Sequence, residues 1–345
     1  MKKTLPILAI LTLFSSACTN PLETDFYQAP EVIILNAMLR TDDTVHFALV
    51  SRGLADDVLP APDAQLRCYI NGTLTAEGTC VPQENEYYTS RFEFPARIQP
   101  GDEVRLEAVD GSLRASATVT APEAAPLVAV DTAYVEDGHY GNSSGIRCKL
   151  QLQDLPNQDN WYRLSVRYER EREKSVLASG AHRQDPLNFG FLEDPILRDG
   201  YSTETQRSND ITQLFSGVTT TNAYCSFKDE PFADGSAEVE IQLPRVDKSH
   251  YSIFPFFDFE TMTTVYHTVV MTARLKFTLL TITKEEYDYL TQLNKSLYSS
   301  LNLGTLQEPI HVPGNVEGGH GFVSVASAST QVMTLPLVEG SPFFI

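Results

Sequence analysis

The sequence predicts an all-β, mainly antiparallel protein in two units. The first is an immunoglobulin-like β-sandwich; the second is a larger β-sandwich or barrel-like domain carrying one α-helix. Three observations predict this. Short runs of β-branched and aromatic residues recur between turn signals. Helical spacing is clearest in one stretch, about 283–298. A proline- and alanine-rich segment, Ala121-Pro-Glu-Ala-Ala-Pro126, divides the chain into stretches that are each long enough to bury a core.

Before the first strand comes an address. Lys2 and Lys3 precede an apolar run, Thr4 to Phe14, of about eleven residues, where a helix crossing a bilayer needs roughly 20. The run is therefore a signal core, and Ser15-Ser16-Ala17 supplies small residues just before Cys18. Residues 1–17 read as a lipoprotein signal peptide: they resemble the bacterial lipobox, whose cysteine is acylated through sulfur and becomes the mature N-terminus. Ser15 stands where Leu is commoner. On this reading Cys18 is the lipid attachment and residues 18–30 are a lipidated tether; the alternative is an ordinary secretory signal cut nearby. The 45 acidic and 26 basic residues give a formal charge of −19, and losing Lys2 and Lys3 with the leader makes the mature chain more negative still. Such a surface repels phosphate backbones and anionic lipid, which excludes nucleic acid and leaves attachment to the acyl chains.

The first unit, residues 31–122, offers seven candidate strands: Glu31 to Leu39, Thr44 to Ser51, Ala64 to Ile70, Thr73 to Thr79, Glu86 to Phe94, Glu103 to Val109 and Ser112 to Thr120. Asn71-Gly72 and Asp110-Gly111 are hairpin signals, because these residues tolerate the positive φ of a type I′ turn.

The second unit, residues 127–345, opens with strands at Leu127 to Val135, Gly145 to Gln153 and Trp161 to Glu173. The last ends in alternating charge, Glu169 to Lys174; a helix would set like charges four apart, whereas a strand sorts acids and bases onto opposite faces. A solvated hairpin arm is expected there. Residues 175–210 lose periodicity and form a long insertion. Tyr251 to Glu260 concentrates aromatic residues that suit either a ligand groove or packing inside or between domains. Leu275, Phe277 and Leu279 alternate with polar residues in a strand, and the helix follows. Thr283 with Glu286 makes a capping box, Tyr287, Leu290, Leu293, Leu297 and Leu301 keep helical spacing, and Gly304 is the stop.

Besides Cys18, the cysteines fall two to a unit. In an oxidising compartment the pairings are Cys68 with Cys80 and Cys148 with Cys225; the second would close a long loop worth about 4 kcal/mol by chain entropy. A two-residue turn at Asn71-Gly72 would set residue 75 opposite Cys68, so Cys80 would reach it only through a bend or another register.

Gly141-Asn-Ser143-Ser-Gly145 matches the letters of a nucleophile elbow but lacks its strand-turn-helix setting. His311, Glu317 and His320 are the residues nearest to a metal set, and they read as loop residues. No catalytic constellation, metal site or cofactor motif is expected, so the chain is read as a non-enzyme.

Three segments in order then resemble a family. Phe227-Lys-Asp229-Glu-Pro-Phe232-Ala-Asp-Gly235, the Tyr287-x-Tyr289-Leu290 helix core, and Asn315-Val-Glu-Gly318-Gly319-His-Gly321-Phe322 are similar to motifs of the Bacteroidota lipoproteins catalogued as domain of unknown function four-two-four-nine. Gly314 and His320 depart from the usual residues. The resemblance implies an outer-membrane lipoprotein, often encoded beside a TonB-dependent receptor, with no established reaction; cell surface and periplasmic face both remain open. The motif glycines suit tight turns, and Phe232 and Phe322 suit core positions. The functions considered are a binding or accessory component of TonB-dependent nutrient uptake, a structural or adhesive surface lipoprotein, and an extracytoplasmic hydrolase.

Overall fold

The computed structural model describes residues 30–54, 57–82, 88–135, 145–173, 180–189, 194–197, 224–258, 260–299 and 312–339. The signal peptide, Cys18 and most of the tether lie outside the described residues, as do Ser143, Gly304 and His311.

Alternation of apolar and polar residues builds the first unit: β1 (Val32–Arg40), β2 (Val45–Gly53), β3 (Val58–Pro60), β4 (Gln65–Ile70), β5 (Thr73–Glu77), β6 (Thr79–Val81), β7 (Ser90–Pro95), β8 (Glu103–Asp110) and β9 (Leu113–Thr120). In β1 the buried side chains are Ile33, Leu35, Ala37 and Leu39, every second residue. The order β1-β2-β7-β6 faces β5-β4-β8-β9 across one core. These are the ABED and C′CFG orders of an immunoglobulin sandwich. Asn71 and Gly72 take φ of 50° and 77°, the predicted type I′ turn. A bulge between Cys68 and Tyr69 then sets Cys68 opposite Ala76 and not residue 75.

The second unit contains β10 (Leu127–Val135), β11 (Gly145–Gln153), β12 (Trp161–Arg172), β13 (Ala181–Pro186), β14 (Ser226–Lys228), β15 (Ser236–Pro244), β16 (Ser249–Asp258) and β17 (Thr263–Ile282). After α1 (Lys284–Ser299) come β18 (Gly319–His320), β19 (Val323–Thr334) and β20 (Leu337–Glu339). The layer β10-β11-β15 packs Leu150, Val239 and Ile241 against Tyr162, Val166, Leu275 and Phe277 of β12 and β17. The charged end of β12 does not project. It lies between β13 and β17, where Arg170 meets Asp185 at 2.8 Å and Glu171 meets Arg274 at 2.7 Å. Part of the 175–210 insertion is anchored: Asp194 Oδ1 accepts from the Ile196 and Leu197 amides, Oδ2 accepts from the Glu240 amide, and Leu197 is buried in the second core.

One strand belongs to both units. Residues Val323 to Ala326 of β19 run parallel to Ala37 to Arg40 of β1, and Ser327 to Thr334 then pair antiparallel with Thr281 to Arg274 of β17. Side chains reinforce the joint: Lys276 reaches Asp42 at 3.1 Å, and Thr41 Oγ1 accepts from the Ala328 amide. The helix α1 starts as predicted, with the Glu286 amide donating to Thr283 Oγ1, and covers this joint through Tyr287 and Leu290 against Leu280, Ile282 and Ala326.

Candidate functional site

The three family-like segments converge on the joint between the units. Phe227 in β14 is fully buried, with Tyr162 at 5.7 Å and Phe232 at 6.5 Å between ring centroids. Asp229 accepts from the Asn160 amide at 2.6 Å. The Asn160 side chain donates to Asp154, which also accepts the Tyr162 hydroxyl proton. Burial together with Asp154 raises the Tyr162 phenol, and burial raises Asp229. Asp234 and Gly235, both at positive φ, make a two-residue turn closed by paired Ala233 and Ser236 backbone bonds. The carboxylates are thus spent on clamping a turn. On the helix, the Lys228 ammonium lies over the Tyr287 ring, and Tyr289 stacks on Phe322 at 4.1 Å.

The closing segment is wedged between the two sheets of the first unit. Asn315 exchanges side-chain bonds with both backbone groups of Val323, and Glu317 exchanges backbone bonds with Ser116 of β9. Gly319 pairs with Ile33 of β1. A Cβ at Gly318 would lie 2.6 Å from the Arg114 carbonyl oxygen, and those at Gly319 and Gly321 would overlap the carbonyls of Ile33 and Leu35. The glycines are there because two backbones pass where a side chain would stand. Glu317 and His320 are exposed, and no group of three or more metal-ligating side chains gathers among the described residues.

Glu286 was read from sequence as half of a capping box, yet its side chain turns into the joint. It is buried, its Oε1 lies 3.9 Å from Arg163, and the Ser324 hydroxyl stands beside it. Burial raises its carboxyl despite the opposing pull of Arg163. A raised folded-state value means that this group contributes stability below its unfolded value near 4.5 and loses it as pH rises through the folded value. Glu286→Gln is expected to flatten the fall in stability between pH 4 and pH 8. Urea midpoints of parent and variant at both pH values would check it; an unchanged slope refutes the assignment.

All four described cysteines are present as thiols, in place of the two expected bridges. Cys68 lies on β4 in one layer of the first unit, and Cys80 on β6 in the facing layer. Cys148 and Cys225 both sit in the second core, and burial pushes their thiols up to about 12, and that of Cys68 to about 11. Such thiols are poor nucleophiles at neutral pH.

Most of the aromatic run Tyr251 to Glu260, up to Asp258, is a single extended segment. It forms β16, whose pairing with β17 continues from His250 opposite Met271 to Asp258 opposite Thr263. The partners of β17 in β12 and β19 stop at Met271 and Arg274. Beyond them, and past the pairing of Tyr251 with Glu339 of β20, the two segments pair with each other among the described strands and form an arm. One face of the arm carries Ile253, Pro255 and Phe257 across from Thr268, Tyr266 and Thr264. Ile253 is 45% exposed, Phe257 43%, Tyr266 69%, and Met262 at the tip 71%. Measured along paired strands from Val32, the tip is about 90 Å away at ~3.3 Å per residue. Sequence density suggested an apolar site; only the strand ends show that it projects.

The profile of a family described as Domain of unknown function (DUF4249) matches residues 19–332. No curated protein matches the chain. Among solved structures, one titled as the BSP domain of a biofilm associated protein is similar over 89% of this chain at 7% identity and a TM-score of 0.14. The chain spans 59% of that protein's length, and likeness at that score carries no argument.

Proposed function

The chain belongs to the DUF4249 family, and from that premise we propose that it is a lipid-anchored outer-membrane protein serving as a binding or accessory component of a TonB-dependent uptake system. In this reading Cys18 carries the acyl chains, residues 19–30 are the tether, and the partner is the receptor. The protein works by contact and performs no reaction of its own. The carrying observation is a sheet, continuous across both units, that joins the tether end to an exposed apolar arm. Apolar surface of this kind on a strongly acidic, soluble-surfaced protein marks an interaction site.

The test is extraction of the tagged full-length protein from its native membrane in mild detergent. An outer-membrane transporter is expected in comparable amount. Recovery of the protein alone, with normal nutrient uptake in a deletion strain, would overturn the reading in favour of a surface spacer.

A further inference from the structure

We infer that the β16–β17 arm docks into an apolar groove, rimmed by Lys or Arg, on another protein of the cell envelope. The proposal deepens the reading above by naming the contact surface, and rests on it only for the compartment in which the partner lives.

Size argues for a groove. Past the ends of its neighbouring strands the arm spans about seven residues of two strands, roughly 24 Å by 10 Å, or on the order of 240 Å² a face. A stable interface needs about 800 Å² from each partner, so contact with one flat face falls short. Both faces carry exposed apolar side chains, Ile253 and Tyr266 on one and Val265 on the other, with Met262 between them at the tip. Insertion into a groove buries both faces together, about 480 Å², and exposed Leu337 and Val338 on β20, beside the base of β16, extend this toward the area a stable interface needs. Tyr, Phe, Met and Ile held on a paired backbone lose little freedom on contact, which suits them as anchors.

Charge selects the occupant. From Ser249 to Ala273 there is no Lys or Arg, while Asp258 and Glu260 flank the tip. An anionic leaflet would meet this acidic end with repulsion. A second copy, with a formal charge of −19 and the same acids at the same place, would bring like charge together. A protein surface that is apolar at its centre and basic at its margin answers both features.

The experiment places a photo-reactive benzoylphenylalanine at Tyr266, and separately at exposed Leu74 of the first unit, in the full chain inside the native bacterium. Tyr266 is expected to give one protein adduct that Leu74 does not. The adduct peptide should map beside Lys or Arg residues lining a groove, and Ile253→Thr with Met262→Thr should cut its yield at least tenfold. Both replaced side chains are exposed, so the thermal midpoint of this variant should match that of the parent; the yield is read on protein that passes this check, and Val265→Thr alone replaces the pair if it does not. Adducts to lipid, to a second copy or to an acidic surface, equal adducts from Leu74, or an undiminished yield would each overturn the proposal. A transporter that co-purifies but is absent from the Tyr266 adduct sinks the arm and spares the uptake reading. An adduct with a protein that is no transporter does the reverse.

Discussion

Gly321→Ala is expected to leave no stably folded protein. The residue sits at φ of 117°, a conformation that L side chains rarely adopt, and an added Cβ would overlap the carbonyl of Leu35. Neither side can yield. Leu35 is fully buried in β1, and the chain is pinned on either side of Gly321, before it by the pairing of His320 with Ile34 and after it by the Ala37 amide donating to the Phe322 carbonyl and the Phe322 amide donating to Asn36 Oδ1. Backbone strain alone costs about 1–3 kcal/mol. With the overlap added, the loss should exceed 4–5 kcal/mol, comparable with the whole stability of many domains. Gly72→Ala is the control: φ is also positive there, at 77°, but nothing stands within reach of the new methyl, so only about 1 kcal/mol is at stake. Urea denaturation of both variants separates the cases, and a Gly321→Ala protein melting within a few degrees of the parent would contradict the packing described.

Phe227→Ala should cost about 3–5 kcal/mol, the range for emptying a fully buried aromatic site. Its ring supports Tyr162, whose hydroxyl closes the Asp154 and Asn160 network, so the cavity also loosens the clamp on the Asp229 turn. Phe232→Ala should cost less, because that ring stacks on Tyr162 at 5.6 Å but is only partly buried. Were the motif a ligand site, Phe227 could be removed with little loss of stability. Calorimetric melting of the two variants reads the difference, and equal, small shifts would remove the structural role assigned here.

Much of the fold was legible because it is written locally. Alternation at Ile33, Leu35, Ala37 and Leu39 marks a strand with one buried face, Asn71-Gly72 marks its turn type, and Thr283 marks the helix start. The union of β1 with β19 was not legible, since its partners are separated by almost the whole chain and no short-range signal encodes a parallel pairing. The same holds for the Glu286 side chain: the capping-box spacing is correct, but a spacing rule cannot foresee Arg163 on the opposite side of the joint. The arm shows a third kind of loss. Its strands are apolar on both faces, a pattern that usually means burial, and only the early ending of the neighbouring strands leaves it outside.

The sharing of β19 sets an order of manufacture. A chain delivered N-terminus first presents β1 early, but the strand that runs beside Ala37 to Arg40 begins at Val323, only after residues 41–322 have been delivered. Until then one edge of the leading sandwich is an open template for any passing strand. The leading unit therefore stays incomplete, and its edge uncovered, until Val323 to Ala326 have been delivered.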